Sequence, residues 1–600
     1  MTHLERWVPY DYGMTSKNMS VLDATHKELA QLFKKAGIKI SPDQFSTPPN
    51  QDMGDIAFPC FVVAKEQKKS AGVVAKELYE KLKPLVGDSS SISGVSVSGP
   101  YINFTVEKAI LAETVFKAVE KEGKKFGTTK NEKQKIIFEY SQPNTHKAFH
   151  IGHMRNAMLG AALINLYKSQ GNKVAGVTYV NDVGTHVAKC LWALEKFFAG
   201  RIPEDEKGRF LGNVYAHAAK MLEEHPEWKE QTQEVLRNLE SHEKETEKLW
   251  KETRQWSLDG FDKIYNELGI EFDESYYESD VAQNGQKTVD DLLKKGIAKE
   301  SQDVIIMDLS EYKLDVLVIR KSDGTGLYST SDLGLAQAKA KQKWDESVVM
   351  TDMRQDLYFK QLHKTLELYG FDKPMRHIGY ELVRLTTGSM SSRKGSVILY
   401  EDFRDEVVEH ATKETKERHA DWSQEKIDQT AHAIAIASIK FSMLKVKPSQ
   451  IITFDKEEAL SFTGFSAPYI LYTNARIASI LKKVTSTKGD VIPVQTGIHK
   501  DKKKDKKREY DFNHPTEKKL ILMLAQYEEI LAKAREDEDP SDMCRFTHDM
   551  AREFSSFYEQ CPVKDADEST KSGRIALITA ISQVMGNALG ILGIQTLNEM

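Results

Sequence analysis

The stretch SQPNTHKAFHIGHMRNAMLG, residues 141–160, gathers Asn144, His146, Lys147, His150, Gly152, His153 and Arg155 just ahead of an apolar run. The apolar segment EKQKIIFEY (132–140) precedes it, so these polar residues fall where a strand hands over to a helix. A helix N-terminus carries free N–H groups and a partial positive charge, and so attracts phosphate. His150 and His153 are three positions apart and share a helix face. Gly152 has no Cβ, which lets a flat ligand approach the backbone. Lys147 adds a mobile cation. The set suits a nucleoside triphosphate lying on a strand–helix junction. Two other readings of these residues stay open: unrelated surface histidines, or a zinc site, although no third ligand stands at a usual spacing.

A second stretch, TTGSMSSRKGSVILYEDF (386–403), is rich in Gly, Ser and basic residues and follows a strand-like segment. Its hydroxyls, Arg393 and Lys394 could close over phosphates as a mobile lid. Taken alone it also reads as a solvated loop.

Elements of several kinds must hold these stretches in place. VLDATHKELAQLFKKAGI and SAGVVAKELYEKLK read as amphipathic helices, and GVSVSGPYINFTV alternates as a strand broken at Gly99-Pro100. The segment 132–144, the helix ending near Gly171 and the strand NKVAGVTYVNDVG form a βαβ pattern, which favours a parallel sheet. Residues 186–300 read as a charged helical insertion, and VIIMDL, VLVIR and SVVMTD as further sheet strands. From about residue 430 the pattern is helical, interrupted by the low-complexity run KDKKKDKKREYD.

At 600 residues the chain has room for several domains, and 40% hydrophobic content supplies their cores. The net charge of −5 gives no global attraction to polyanions, so any nucleic-acid site must be a local patch. Cys60, Cys190, Cys544 and Cys561 form no CxxC pair, so neither a protein-bound metal nor a disulfide framework is expected, and a reducing, cytoplasmic setting is. No apolar stretch reaches the roughly 18 residues of a membrane helix; MGNALGILGIQTL reads as a short core-packing helix.

HIGH at 150–153 resembles the first signature of class I aminoacyl-tRNA synthetases, and SMSSRKGS at 389–396 the second. Within that class EYSQPNTHKAFHIGHMRN, YVNDVGTH, YSTSDLGLA, TDMRQDLYFKQL, MSSRKGSV and ALSFTGFSAPYILYTNARIASIL resemble the arginyl-tRNA synthetase family in order along nearly the whole chain. The resemblance implies an α/β fold: a Rossmann-like parallel-sheet catalytic domain at 111–455 with the helical insertion at about 186–300. It also implies an N-terminal α+β tRNA-binding domain at 1–110 and a C-terminal all-α anticodon-binding bundle at 456–600. It implies ligation of L-arginine to tRNA(Arg) by a monomer, with ATP as substrate, Mg²⁺ accompanying it, and no membrane partner.

By the same resemblance His150, Gly152, His153, His377, Met390, Ser391 and Ser392 bind ATP, with His377 read as lying on the loop after a sheet strand. Both lysine positions of the second signature are serine here, Ser389 and Ser392. Lys147, with Arg393 and Lys394, is the expected substitute for that charge. A guanidinium needs acceptors, ideally a carboxylate. Tyr328 and Asp332 share a face if a helix starts there, and the resemblance places them in the arginine pocket with Asn144, Glu278 and Gln355. Tyr469, Tyr472, Asn474 and Arg476 are the expected RNA contacts of the bundle. The run Lys500–Arg508 is either a solvated loop or a contact to the tRNA backbone. Two other functions are compatible with parts of the pattern: a nucleotidylyltransferase with an HxGH stretch, and a non-catalytic RNA-binding relative.

Overall fold

The computed structural model describes residues 20–48, 53–129, 134–322, 324–385, 399–486 and 510–600. Helix α1 (Val21–Lys35) opens with Ser20 and Asp23 in a reciprocal capping box, and strand β1 (Ile56–Pro59), α2 (Phe61–Gln67) and α3 (Ala71–Val86) follow. Strands β2 (Ile92–Ser98) and β3 (Tyr101–Val106) pair antiparallel across the Gly99-Pro100 turn, giving a sheet of order β1-β3-β2, and α4 (Lys108–Glu122) leads away.

The next unit contains β4 (Lys135–Glu139), α5 (Ile151–Ser169) and β5 (Lys173–Val180), the βαβ unit expected from the sequence. Four helices follow, α6 (Thr185–Phe197), α7 (Lys207–Glu224), α8 (Lys229–Glu240) and α9 (Lys244–Glu267). Then come β6 (Glu274–Tyr277), α10 (Glu278–Lys294), β7 (Lys299–Ser301), β8 (Val304–Asp308), β9 (Val316–Arg320), α11 (Tyr328–Ala340), β10 (Glu346–Asp352), α12 (Asp356–Tyr369) and β11 (Met375–Tyr380). A five-stranded parallel sheet runs in the order β11-β10-β4-β5-β6. The strand order reverses between β4 and β10, and the crevice at the carboxyl ends of such a pair is where open α/β sheets bind ligands.

The sheet corrects three expectations. The insertion is not all helical, because the short edge strand β6, with only four residues and little apolar run, lies inside it. VIIMD and VLVIR do not join the parallel sheet: with β7 they form a separate antiparallel sheet, since their short connection leaves no room for the crossover that parallel pairing needs. His377 lies within β11, not on a loop after it.

Alternation along the strands gives the sheet two packed faces. Ile136 and Phe138 join the core around α5, while Ile137, Val177, Tyr179 and Tyr276 pack against Val281 of α10 and Leu335 of α11. Between and after the strands of the short parallel pair β12 (Val383–Leu385) and β13 (Ile452–Phe454), the described residues form helices: α13 (Tyr400–Arg418) and α14 (Gln424–Leu444) between them, then α15 (Lys456–Leu460), α16 (Ala467–Ser486), α17 (Pro515–Glu536), α18 (Ser541–Gln560) and α19 (Glu568–Ile591). The apolar MGNALGI is the end of α19, which is long and apolar enough to cross a membrane by length and composition; its Leu577, Ile581, Val584 and Ala588 are buried in the bundle.

The units are joined by polar contacts as well as by a continuous core. The N–H of Val21 at the start of α1 donates to Glu528 Oε2 on α17 at 2.6 Å. Arg155, fully buried on α5, donates to the carbonyls of Met443 and, at 3.3 Å, Lys447, at and just beyond the end of α14. A cation is favoured at a helix C-terminus. Arg155→Ala will strand those carbonyls and leave a cavity, costing about 3 kcal/mol. A urea transition midpoint unchanged from the parent would contradict this role.

Candidate active site

The loop from β4 to α5 is held by its own polar residues. His146 adopts a left-handed backbone conformation (φ 61°). Its N–H donates to Ser257 Oγ at 2.9 Å, and its ring nitrogens sit 2.9 Å from Thr145 Oγ1 and 2.8 Å from Thr253 Oγ1. Burial pushes its imidazole down to about 3, so it is a neutral pin between the loop and α9. The backbones of Asn144 and Asn181 pair, which ties this loop to the end of β5.

His150 is the N-cap of α5. Its Nδ1 accepts the N–H of Gly152 at 3.1 Å, and Nδ1 of His153 accepts the N–H of His150 at 3.3 Å. Because both Nδ1 atoms accept, each ring carries its proton on Nε2. The rings stack 3.8 Å apart at 19°. Burial, with Lys147 adding repulsion, lowers His150 to about 4; burial and His150 hold His153 well below the usual imidazole range. The pair therefore presents two neutral N–H donors at a helix N-terminus, the arrangement that binds phosphate oxygens. The role of Gly152 needs a correction. A Cβ there would lie 3.0 Å from His150 Cε1, so its missing side chain makes room for the capping imidazole.

Lys147 is half-buried, with its ammonium 5.3 Å from the centre of the Tyr215 ring; burial, and then Lys189, lower its pKa. The second signature segment, with Ser389, Met390, Ser391, Ser392, Arg393 and Lys394, lies outside the described residues, as does Lys500–Arg508. The chain beyond that segment returns to the first signature: Leu399 pairs with His150, and the Tyr400 N–H donates to Phe149 O at 2.9 Å.

A group of acidic residues faces the sheet from α10 and α11. Asp332 lies in the second turn of α11, not at its N-cap, four positions after the exposed Tyr328. Its carboxylate accepts from Tyr358 Oη of α12. Burial raises it to about 7, against the pull of Tyr358 and with repulsion from Glu139 and Glu278. Glu278, the first residue of α10, accepts from Asn181 Nδ2 at 3.2 Å and Ser331 Oγ at 3.1 Å, and burial raises its pKa too. Glu139 pairs with Lys339 at 2.5 Å, both side chains 5% exposed. Lys339 pairs with Glu139 and is the cation felt by Asp332, while Glu278 has only neutral donors among the described residues; a cationic ligand would correct this imbalance.

Two glycines set the spacing of Glu278 and Asp332. A Cβ on Gly285 would meet Thr330 O at 2.0 Å, and one on Gly334 would meet Val281 O at 2.2 Å, so α10 and α11 touch backbone to backbone. Nearby, Asp182 is a structural hub: Oδ2 pairs with Arg254 Nε at 2.6 Å, and Ser279 donates to both oxygens. Sequence reasoning missed Glu139, Lys339, Tyr179 and Tyr358; Glu139, directly ahead of the signature loop, was the most findable of them.

The remaining expected residues are scattered. Gln355 is exposed at the start of α12. His377 is engaged by protein, with Nε2 2.8 Å from Thr351 Oγ1 and its ring stacked on Phe359 at 4.6 Å. On α16, Asn474 is buried and donates to Leu597 O at 3.0 Å, and Tyr469 is half-buried with its hydroxyl 3.3 Å from Ser555 Oγ, so these two serve packing. Tyr472 and Arg476 face outward. The guanidinium lies 4.7 Å from the centre of the Tyr472 ring and 4.8 Å from that of the exposed Tyr558 on α18. Among the described residues no group of three or more His, Cys, Asp or Glu is placed to hold a metal ion, and the four cysteines are unpaired and buried.

Comparison with known proteins agrees with this arrangement. Residues 114–455 match the family model described as tRNA synthetases class I (R), catalytic domain. The fold and site are those of a class I aminoacyl-tRNA synthetase. Residues 23–106 match the arginyl tRNA synthetase N terminal domain, and 470–600 the DALR anticodon binding domain. The chain is 35% identical to the arginine–tRNA ligase of Bdellovibrio bacteriovorus, covering 92% of this chain and 93% of that one. It is 33% identical to that of Clostridioides difficile, covering 92% and 95%. Its fold is similar to that of the Thermus thermophilus arginyl-tRNA synthetase, with a TM-score of 0.77 at 23% identity, covering 96% and 99% of the two chains. The chain belongs to the arginyl-tRNA synthetase family.

Proposed function

We infer that the chain ligates arginine to tRNA, and that the acidic group beneath α10 and α11 selects the amino acid. The observation that carries this selection is Asp332, a buried carboxylate that makes no ion pair among the described residues, raised to about 7 by burial beside Glu139 and Glu278. A guanidinium satisfies such a site with charge and paired N–H donors. In the first step the arginine carboxylate attacks the α-phosphate of ATP in line, the bond to the β-phosphate breaks, and pyrophosphate leaves. In the second, the terminal ribose of tRNA(Arg) takes the arginyl group from the adenylate and AMP leaves. Nε2–H of His150 and His153 donate to phosphate oxygens, and Lys147 neutralises the leaving pyrophosphate with Arg393 and Lys394. Mg²⁺ enters on the ATP phosphates as part of the substrate. Asn144 and Gln355 flank the amino-acid end, and Tyr472 with Arg476 offers the bundle's RNA-facing surface. The enzyme acts as a monomer in the cytoplasm.

Positioning and charge stabilisation account for the catalysis. The direct test is aminoacylation of bulk tRNA with labelled arginine, with lysine and citrulline as controls. Arginine alone will be charged; incorporation of lysine at a similar rate would sink the assignment of the acidic group. Lys147→Ala, measured by ATP–pyrophosphate exchange with tRNA present, will slow exchange by about 100-fold, the usual cost of a lost transition-state donor. An unchanged rate would remove Lys147 from the leaving-group role.

A further inference from the structure

Tyr179 of β5 is 5% exposed, and its hydroxyl has no hydrogen-bond partner among the described residues. Its ring belongs to the apolar group formed with Val281 and Leu335. Val281 lies one helical turn after Glu278 on α10, and Leu335 one turn after Asp332 on α11, so each carboxylate shares a helix face with a residue packed on the tyrosine. Burial, followed by Asp332, Glu278 and Glu139, holds the phenol well above its ordinary pKa, so it keeps its proton. Every carboxylate around it already has a donor: Tyr358 for Asp332, Asn181 and Ser331 for Glu278, Gln142 and Lys339 for Glu139. A buried hydroxyl left unpaired is costly, and the cost disappears when a ligand supplies the partner.

We propose that Tyr179 is a specificity-determining residue of the arginine site, its hydroxyl oxygen accepting an N–H of the substrate guanidinium. This rests on the reading of Asp332 as the guanidinium acceptor. The phenol adds a second, neutral acceptor at a fixed place on the sheet. A planar fork with several N–H groups can use both acceptors at once, whereas a compact ammonium on a flexible stem is a poorer match.

The experiment compares full-length parent, Y179F and D332N in ATP–pyrophosphate exchange with tRNA present, together with thermal unfolding. Y179F should raise KM for arginine about tenfold, with kcat and KM for ATP within about twofold, as expected for one hydrogen bond to a charged group. Its Tm should equal or exceed that of the parent, because the change removes an unpartnered buried oxygen. A purely structural tyrosine predicts the opposite pattern: a lower Tm with parallel losses for both substrates, and that result overturns the proposal. So does a normal arginine KM in Y179F when D332N is impaired, which leaves the Asp332 reading standing. A normal arginine KM in D332N overturns both.

Discussion

Replacing Asp332 by Asn will raise KM for arginine by about 100-fold or more, while KM for ATP stays near that of the parent. Truncating one partner of a buried, hydrogen-bonded charge pair costs about 2–5 kcal/mol, and each 1.4 kcal/mol is tenfold in affinity. The substitution keeps the shape and the capacity to accept from Tyr358, so the loss isolates the charge.

The pH dependence gives a second readout of the same residue. Burial, with Glu139 and Glu278, puts the Asp332 carboxyl at about 7. Arginine is cationic throughout this range and prefers the ionised carboxylate. Below about pH 7 binding must expel a proton from Asp332, so KM for arginine rises toward tenfold per pH unit as pH falls, and is level above pH 7. The other groups facing Asp332 are Glu139, Glu278, Lys339, Tyr179 and Tyr358. In D332N the slope attributable to Asp332 vanishes. Folding stability follows the opposite direction. A carboxyl whose pKa is raised by folding costs the folded chain stability as pH rises from about 4 through 7. The free enzyme is therefore destabilised by this residue at the pH where it binds best. A pH-independent arginine KM in the parent between pH 6 and 8 would show that Asp332 is not the binding group. Burial lowers His150 to about 4 and, with His150, holds His153 well below the usual imidazole range, so neither sets the acid limb here.

Gly285→Ala is the second large effect. In an ordinary exposed helix interior this change stabilises by about 1 kcal/mol. Here the new Cβ would lie 2.0 Å from the backbone oxygen of Thr330, which cannot rotate away as a side chain can. The helices must separate, at a cost of about 1–3 kcal/mol or more. Separation also breaks the 3.1 Å bond from Ser331 to Glu278 and shifts Asp332 relative to the sheet. A misplacement of about 1 Å can cost on the order of 100-fold in rate, so kcat/KM for arginine should fall by about that factor, alongside a lower Tm. A variant more stable than the parent with full activity would refute the close contact of α10 and α11.

Much of the site was legible because its chemistry is local in the chain. His150, Gly152 and His153 lie together at the N-cap and first turn of α5, just after the apolar strand β4 and at the head of an apolar helix. Tyr328 and Asp332 stand at helical spacing and do share α11. What escaped was non-local. Whether VIIMD enters the parallel sheet depends on which strand it meets, and its short connection to VLVIR decides for a hairpin. Asn474 stands two residues after the outward-facing Tyr472 and two before Arg476, yet its helix face turns it inward to Leu597.

The sequence by itself determined the family, the strand–loop–helix that carries His150, Gly152 and His153, and the helical spacing of Tyr328 and Asp332. Tertiary structure decided the charge balance of that helix. Glu139, Glu278, Tyr358 and Tyr179 come from four elements other than α11, and only the closure of the sheet and the glycine contact of α10 with α11 bring them to Asp332. Periodicity specifies which face of each element is apolar; it does not specify which distant carboxylate will share a dry space with another. Burial, with Glu139 and Glu278 adding to it, raises Asp332 to about 7.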